Sequence, residues 1–420
     1  MHHLKIMIAT AMFVGGAMGC SCAARTANWS GDGGVPAFYR WTDALPDRPG
    51  VMLRAEAMEE ELSLPHAARA ERILYSSVDW RDAKRIVTVS GGVFFPHGKV
   101  PKGGWPVIAW AHGTTGIADV CAPSFNPRSA RDRAYLGAWL DRGFAIVATD
   151  YQGLGTPGVH PYLQYRAEGQ SVLDSLRAAL DRFPELSRDR LMTMGQSQGG
   201  EGAIAAAYLA PGYAPELKLR GTVATGVVAH TANVGAARQM PQAALYADPE
   251  DSVSSAYETL WFLGTAQSID PDRIRPEEYL TPEGLELAEK AQRTCMGGLV
   301  EFAKQREIGI SRFYRKSTDD LEKLVTRWTD FPDAGVRTPV FIGAGLADEA
   351  ATPAKQYNFA SAMCSSGSIV EMHFYPGADH SSAVERSLAD SPAFVRALMK
   401  GQVIRGNCAK LQPPQAAGSE

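Results

Sequence analysis

The sequence predicts an α/β fold in which a mostly parallel sheet is flanked by helices. Short apolar runs typical of buried strands recur along the chain, for example at 107–111 and 144–149. Longer segments with apolar residues at helical spacing lie between them, such as 168–183. Because strands that alternate with helices pair in parallel and are covered on both faces, this rhythm indicates a doubly covered sheet.

The predicted elements follow one another in a regular order. Each strand is a short run rich in apolar residues, and each helix repeats its apolar residues three or four positions apart. The predicted strands cover 84–95, 107–111, 144–149, 190–194, part of 219–228, 340–343 and 369–375. The predicted helices cover 130–142, 168–183, 200–207, 357–364 and 383–399.

Residues 229–335 interrupt this order, because they are richer in charge and helix formers and contain no run typical of a buried strand. Three helices are predicted there, at 249–267, 282–292 and 317–328. The first has a start signal, with Asp248 as its N-cap and Pro249 at the first helical position. We interpret this region as a mainly helical insertion that forms a cap over the carboxyl edge of the sheet.

The domain organisation follows from these segments. We expect the following five parts: a targeting segment at 1–24, a first part of the core at 25–228, the helical cap at 229–335, a second part of the core at 336–408 and a mobile tail at 409–420.

Length and composition exclude several classes of protein. The chain has 420 residues, of which 45% are hydrophobic and 21% are charged, and this allows a large buried core. Its formal net charge of −4 implies no basic surface for nucleic acid. No run after the N-terminus is long and apolar enough to span a bilayer.

The N-terminus has the pattern of a signal peptide. Lys5 precedes an apolar run at 6–18, and small residues follow at 19–24. This pattern predicts export, to the periplasm or outside the cell. Residues 17–20 also resemble a bacterial lipobox, which would place a lipid anchor at Cys20 and make the protein a membrane-anchored lipoprotein; both outcomes stay open.

Four cysteines lie beyond the targeting segment, namely Cys121, Cys295, Cys364 and Cys408. An even number in an oxidising compartment suggests two disulfides, and three pairings are open. Four buried free thiols are the alternative. Their spacing does not resemble a zinc site, and no metal is predicted.

The most informative motif is G-Q-S-Q-G at 195–199, between a predicted strand and a predicted helix. This context is typical of a nucleophile elbow, a sharp turn that exposes the serine hydroxyl at the N-terminus of a helix. Ser197 is therefore the candidate nucleophile. The alternative is a plain strand-to-helix turn with a surface serine.

A serine nucleophile needs a base and an acid that orients the base, and hydrolases with this elbow carry them further along the chain. His380 follows the last predicted strand and is the candidate base, whereas His373 lies inside that strand and is expected to be structural. Asp348 follows the preceding strand and is the candidate acid, with Glu349 as its competitor.

The N–H of Gln198, directly after the nucleophile, is one expected oxyanion donor. The second is expected from the loop after strand 107–111, at Gly113 or Thr114, with His112 as a loop anchor.

Two aromatic residues are candidates for the substrate pocket. Trp261 lies on an apolar face of the predicted cap helix, which could equally pack on the core. Tyr151 follows a predicted strand.

A glycine pattern at 153–158 matches G-x-G-x-x-G, the fingerprint of dinucleotide binding. The glycines do not follow the strand directly, and Pro157 removes an N–H where a phosphate would need one. We therefore predict a turn near the site and no cofactor.

Several motifs together resemble the secretory lipase family, which includes fungal lipase A and bacterial relatives. The motifs are the segments 195–200, 121–124 (C-A-P-S), 149–155, 160–163, 345–348 with 352–353, and the segment around His380. The resemblance covers roughly residues 75–400.

This resemblance implies an α/β-hydrolase fold with a helical cap, the hydrolysis of carboxylic esters, and Ser197, Asp348 and His380 as a triad. It also implies the disulfides Cys121–Cys295 and Cys364–Cys408. Fungal members have an acidic residue in the loop before the C-A-P-S segment, whereas residues 112–116 here read H-G-T-T-G. A backbone N–H or a threonine hydroxyl is therefore expected as the second oxyanion donor.

The leading hypothesis is an exported serine esterase or lipase that acts on a small-molecule or lipid ester. A serine peptidase or amidase on the same fold is the alternative, although no anchor for a chain terminus is evident. A non-catalytic binding protein is the third hypothesis, and the complete set of serine, aspartate and histidine argues against it. The sequence leaves the acyl chain length, the alcohol and the oligomeric state open.

Overall fold

The computed structural model describes residues 33–237, 239–240 and 250–414. The predicted targeting segment, including Cys20, lies outside these residues, as do Asp248 and Pro249. In the described part of the chain no helix is both long and apolar enough to cross a membrane.

The described strands form one sheet in the order β1-β2-β3-β5-β4-β6-β7-β8-β9. Pairing is antiparallel from β1 to β5 and parallel from β5 to β9. The strands are β1 Met52–Ala57, β2 Ala67–Val78, β3 Ile86–Pro96, β4 Trp105–Ala111, β5 Ala145–Thr149, β6 Leu186–Gln196, β7 Leu219–Thr225, β8 Val340–Gly345 and β9 Val370–Tyr375. The predicted mostly parallel sheet is therefore confirmed.

Helices lie between the strands from β4 onward and follow the last strand. They are α1 Ala130–Asp141, α2 Tyr165–Arg182, α3 Gln198–Tyr213, α4 Ser252–Leu260, α5 Pro276–Tyr279, α6 Pro282–Ala291, α7 Met296–Gln305, α8 Asp319–Thr329, α9 Pro353–Ser365, α10 Ser382–Arg386 and α11 Ser391–Met399. A π-helical turn, Trp261–Gln267, continues α4.

The alternation of side chains along β4 explains why both faces of the sheet are covered. Val107 packs in one apolar cluster with Leu176 of α2, and Ile108 packs in another with Leu136 of α1. Successive side chains of a strand point to opposite faces, so an all-apolar strand needs helices on both. Burial of each such side chain contributes about 1.5–3 kcal/mol.

Parallel pairing brings the carboxyl ends of β4, β6, β8 and β9 to one edge of the sheet. The loops that leave this edge are the ones that carry the predicted site. This is the edge at which parallel α/β sheets bind ligands.

The segment between β7 and β8 contains α4 to α8 and has an apolar cluster of its own. Leu260, Leu287 and Phe313 are fully buried in that cluster. Ile117 and Tyr162, from loops of the sheet-bearing part, pack into it as well. The helices are thus attached to the same loops that surround the carboxyl edge.

Two predicted helices differ from the observed ones. The first cap helix begins at Ser252 instead of residue 249, because the Asp251 carboxylate caps it by accepting from the N–H groups of Val253 and Ser254 at 3.0 and 3.1 Å. The helix predicted at 383–399 is divided into α10 and α11, and Pro392 lies at the start of α11. Proline lacks an N–H and its ring crowds the preceding turn, which favours a break in the helix before Pro392.

Some elements were not predicted at all. Strands β1 and β2 were not predicted, because β1 and the first half of β2 are polar and partly exposed. Helices α5 and α7 in the inserted segment were also missed. Just before the predicted tail at 409–420, Asn407 exchanges hydrogen bonds with Met372 of β9 at 2.7 and 3.0 Å. Within the tail, Leu411 packs partly against the core, and the mobility of the tail stays a prediction.

Candidate active site

Ser197 occupies a strained turn between β6 and α3. Its φ is 60° and its ψ is −124°, a conformation that residues other than glycine rarely adopt. Its backbone N–H donates to the carbonyl of Thr225 on β7 at 2.9 Å, which holds the turn against the sheet. Strain of this kind persists only where the surroundings impose it, and it is the geometry of a nucleophile elbow.

The two glycines of the motif have a packing reason. A Cβ on Gly195 would overlap the carbonyl oxygen of Gly199, and a Cβ on Gly199 would overlap the carbonyl oxygen of Ala111. The helix therefore passes so close to β4 and β6 that only glycine fits at either position. This close approach brings the serine to the start of α3.

His380 and Asp348 are in direct contact at the same edge. His380 Nδ1 lies 2.8 Å from Asp348 Oδ2, and the Asp348 side chain is fully buried. Since the carboxylate can only accept, Nδ1 carries the proton, and Nε2 is left free to accept one. Sequence reasoning chose this pair over Glu349 and His373.

Asp348 is held in place by several donors besides the histidine. Its Oδ1 accepts from the backbone N–H groups of Ala350 and Ala351 at 3.0 and 2.8 Å. The side-chain amide of Gln356 donates to its Oδ2 at 3.2 Å and to the Ala351 carbonyl at 2.7 Å. These bonds satisfy a buried carboxylate and fix its orientation.

Ser197 and His380 line one cavity of about 150 Å³. Ser197 is only 9% exposed, so the hydroxyl expected at the surface lies instead at the bottom of this cavity. Gly113 lies against the serine, because a Cβ on Gly113 would be 3.5 Å from the Cβ of Ser197. Tyr257 of α4 closes the cavity from the side of the inserted helices.

The three residues expected to hold an oxyanion lie around the nucleophile. Gln198 is the first residue of α3, where backbone N–H groups lack partners within the helix. Gly113 and Thr114 line the cavity beside Ser197. The Thr114 hydroxyl lies 2.9 Å from the Tyr162 hydroxyl. Because this hydroxyl already has a partner, we expect a backbone N–H of the loop to be the second oxyanion donor.

His112 is fully buried beneath this loop. Nδ1 lies 2.7 Å from the Gly113 carbonyl oxygen and Nε2 lies 3.2 Å from that of Asp150. Burial lowers the pKa of His112 to about 4, so the ring stays neutral near pH 7. It anchors the loop, as expected from the sequence.

His373 lies on β9 and does not line the cavity. Its Nε2 lies 3.1 Å from Glu371 Oε1, and its ring stacks on Phe341 with centroids 4.9 Å apart. These contacts give it a structural role.

The two aromatic candidates for the substrate pocket lie outside the cavity lining. Tyr151 is fully buried, and its hydroxyl donates to the His112 carbonyl at 2.9 Å. Trp261 begins the π-helical turn and packs partly against the apolar cluster of the inserted helices. Tyr257, one helical turn earlier on the same face, lines the cavity instead of Trp261, which lies further along and packs partly into that cluster.

A buried polar network behind the elbow was missed in the sequence. The Gln198 side-chain amide donates to Glu168 Oε1 at 2.9 Å and lies 3.0 Å from His160 Nε2. Burial raises the pKa of Glu168 to about 8, and burial together with Glu168 raises that of Glu201 well above its usual range. No short motif marks these residues, since they come from α2, α3 and the loop at His160.

Gln196 was missed as well, although it belongs to the G-Q-S-Q-G motif. Its side-chain amide donates to the His380 carbonyl at 3.3 Å, and Gln196 also lines the cavity. It thereby links the nucleophile turn to the histidine loop.

Both disulfides implied by the family resemblance are present. Cys121 and Cys295 have Cα atoms 5.3 Å apart, and Cys364 and Cys408 have them 5.6 Å apart. The first bond joins the cavity wall to the residue that precedes α7. Next to it, the Met296 N–H donates to the Thr115 carbonyl at 2.8 Å, so the inserted helices are tied directly to the loop beside Ser197.

Comparisons with known proteins identify the family of this chain. The model of the secretory lipase family matches residues 129–400. A secreted triacylglycerol lipase of Malassezia globosa is 26% identical over 396 residues, covering 88% of this chain and 82% of the relative. Another secreted triacylglycerol lipase of that fungus is 26% identical over 304 residues, covering 67% of this chain and 61% of the relative.

Solved structures show the same fold. Candida antarctica lipase A in its closed state superposes with a TM-score of 0.65 at 18% identity, covering 89% of this chain and 87% of that one. The rice cell wall degrading esterase LipA of Xanthomonas oryzae superposes with a TM-score of 0.63 at 16% identity, covering 85% of this chain and all of that one.

The sheet, the elbow and these likenesses define an α/β-hydrolase. Within that class, the chain belongs to the secretory lipase family and is a carboxylic-ester hydrolase.

Proposed function

We propose that the protein is an exported serine esterase in which Ser197, His380 and Asp348 form a catalytic triad. The observation that carries the proposal is the shared cavity of Ser197 and His380, with Nδ1 of the histidine 2.8 Å from Asp348. In the reaction His380 Nε2 takes the proton of the Ser197 hydroxyl as its oxygen attacks the ester carbonyl.

The tetrahedral intermediate carries a negative charge on the former carbonyl oxygen. We assign its stabilisation to the backbone N–H of Gln198 and to an N–H of the loop at Gly113 and Thr114, because both lie beside the nucleophile. His380 then protonates the leaving alcohol, which leaves an acyl-enzyme on Ser197. Water, activated by His380, hydrolyses this intermediate and restores the serine.

The size of the cavity bears on the substrate. About 150 Å³ is smaller than the roughly 300–1,000 Å³ of typical ligand pockets. Triacylglycerol appears in the names of the Malassezia relatives. We propose instead that this enzyme prefers esters with a short acyl group. Residues 229–335 serve as a helical cap that limits the cavity, and the two disulfides and the N-terminal pattern support export.

A substrate comparison tests the proposal. Wild-type protein should hydrolyse p-nitrophenyl acetate and butyrate and leave the matching p-nitroanilides intact, since amides have a poorer leaving group. Folded Ser197→Ala protein is the control and should lose the ester activity. Faster hydrolysis of the anilides would instead identify an amidase.

A further inference from the structure

The H-P-Y-L segment at 160–163 does not line the cavity, although it lies between the two sources of the expected oxyanion donors. His160 and Tyr162 are buried, and Leu163 has a φ of 53°, in the left-handed region that residues other than glycine rarely adopt. Such a conformation persists only where the surroundings impose it. The contacts of the segment therefore indicate what it holds in place.

The first contact anchors the side chain of Gln198. Its amide nitrogen lies 3.0 Å from His160 Nε2 and 2.9 Å from Glu168 Oε1. His160 Nδ1 lies 2.9 Å from the carbonyl oxygen of Gln152, so Nδ1 carries the ring proton and Nε2 accepts. Both N–H groups of the Gln198 amide are thus used by buried acceptors.

Glu168 joins this anchor to the strained end of the segment. The same Oε1 that accepts from Gln198 also accepts from the backbone N–H of Leu163 at 3.1 Å. Gln198 is the first residue of α3, where no hydrogen bond within the helix fixes the direction of its backbone N–H. A held side chain restricts the rotation of this residue and thereby the direction of that N–H.

The segment also reaches the loop of the second donor. The Tyr162 hydroxyl lies 2.9 Å from the Thr114 hydroxyl. The inserted helices hold Tyr162 in turn, because its carbonyl accepts from the Thr265 hydroxyl at 2.6 Å and a Cβ on Gly264 would lie 2.7 Å from its own Cβ. One short segment therefore contacts both sides of the expected oxyanion site.

Stability alone does not explain an acid at this place. Glu168 is fully buried, and its Oε2 has no hydrogen-bond partner among the described residues. A buried polar atom without a partner costs stability, and an apolar side chain would fill the space without that cost. Local rules of this kind are broken mainly at functional sites.

We propose that Glu168 and the segment 160–163 position both oxyanion donors. Glu168 and His160 orient Gln198 so that its backbone N–H points at the developing oxyanion, and Tyr162 holds the loop at Thr114 on the other side. Glu168 is a positioning residue, because it touches Gln198 and not the substrate. The proposal rests on the serine-esterase function above and adds how its oxyanion site is held.

Three variants test the Glu168 contact with p-nitrophenyl butyrate near pH 7. Glu168→Leu removes the acceptor and should lower kcat and kcat/KM equally, by about tenfold, because loss of a whole oxyanion donor costs about 10²–10³-fold. Glu168→Gln keeps an acceptor oxygen and should retain most of the activity. Gln198→Ala keeps the backbone N–H without its anchor and should lose about as much as Glu168→Leu.

The double variant shows whether Glu168 acts through Gln198. When Gln198 is already alanine, Glu168→Leu should lower kcat by less than about twofold. A full tenfold loss in both backgrounds would show that Glu168 acts by another route and would overturn the proposal. If Glu168→Leu does not fold, Gln198→Ala still decides, and an unchanged kcat in that variant contradicts the proposal.

A transition-state analogue separates positioning from general loss of stability. A trifluoromethyl ketone such as 1,1,1-trifluoro-2-hexanone adds to a catalytic serine and places an oxyanion at this site. Its inhibition constant should rise about tenfold in Glu168→Leu and several-fold in Tyr162→Phe. Tyr213→Phe is the matched control, because it removes a hydroxyl bonded to Asp174 at 2.7 Å, and the constant should stay at the wild-type value.

Equal inhibition constants in wild type, Glu168→Leu and Tyr162→Phe would overturn the proposal, whatever their melting temperatures. Active wild type together with fully active variants removes only this inference. Wild type that neither hydrolyses the ester nor binds the ketone contradicts the serine-esterase function itself.

Discussion

The two sides of the cavity are built in different ways. On the sheet side, Ser197 is set by a strained turn and Asp348 by bonds to backbone N–H groups and to Gln356. The opposite side is formed by the helices between β7 and β8, which bring Tyr257 to the cavity and join the core through Cys121–Cys295.

We therefore expect the sheet side to carry out the reaction and the helical side to set the substrate preference. The reacting groups depend on backbone geometry that tolerates little change, such as the close passage of α3 by β4 at Gly199. The opposite wall depends on the packing of helices, which tolerates hydrophobic exchange more readily. Changes on the sheet side should therefore abolish turnover, and changes on the helical side should alter stability or substrate preference.

The largest effect is expected at the histidines. His380→Gln removes the proposed base and should lower kcat by about 10⁴-fold. His373→Gln is the matched control, because His373 lies within β9 and contacts Glu371 and Phe341 instead of the cavity. It should retain most of the activity with a lower melting temperature. Kinetics on p-nitrophenyl butyrate with thermal melts check both; the reverse pattern would move the base to His373.

The next effect concerns the link between the two sides. Replacing Cys121 and Cys295 by serine opens a bond with a sequence separation of 174, and chain entropy predicts a loss of about 3–5 kcal/mol of unfolding free energy. Replacing Cys364 and Cys408, with a separation of 44, should cost less. Urea unfolding measures both pairs of replacements. A smaller loss for the longer loop would show that the inserted helices stay docked without the bond.

A pH effect is expected from the buried acid behind the elbow. Burial raises the folded-state pKa of Glu168 to about 8, from its ordinary value of 4.5. The folded state therefore holds a proton that the unfolded chain releases, and this contribution to stability is complete below pH 4.5 and lost as the pH rises through 8. Glu168→Gln does not titrate and keeps an oxygen that can accept from Gln198 and Leu163.

When the pH is raised from 5 to 8, the melting temperature of Glu168→Gln should therefore fall less than that of the wild type. Exposed Glu301→Gln is the control and should follow the wild-type curve. Burial lowers the pKa values of His112 and His160 to about 4 and 3. These histidines destabilise the folded state only as the pH falls below about 6.5, and they do so equally in all three proteins. Parallel curves for Glu168→Gln and wild type would show that Glu168 ionises normally.

The smallest effect is expected on the helical side. Tyr257→Ala enlarges the cavity and should shift the kcat/KM preference among p-nitrophenyl esters several-fold toward longer acyl chains. Trp261→Ala, one turn further along and outside the lining, should lower the melting temperature and leave that preference unchanged. A shift with Trp261→Ala alone would restore the pocket role expected from the sequence.

The sequence predicts the sheet side of the cavity better than the helical side. The elbow, the acid and the histidine each follow a buried strand directly, so local pattern and chain order were enough to predict that Ser197, Asp348 and His380 meet at one edge of the sheet. Whether Tyr257 or Trp261 of the predicted apolar face reaches the cavity depends on how α4 packs against distant loops, and helical spacing alone does not decide it. Glu168 and Gln356 were missed for the same reason, since a buried acid or amide looks like any surface residue in the sequence.

The most direct test of the account is the mass of the protein after reaction with a fluorophosphonate. An inhibitor of this class forms a covalent bond only with an activated serine. We predict one adduct per chain, located on Ser197 by peptide mapping, and loss of activity on p-nitrophenyl butyrate. Ser197→Ala should form no adduct. Active protein that stays unlabelled, or that carries the adduct on another serine, would contradict it.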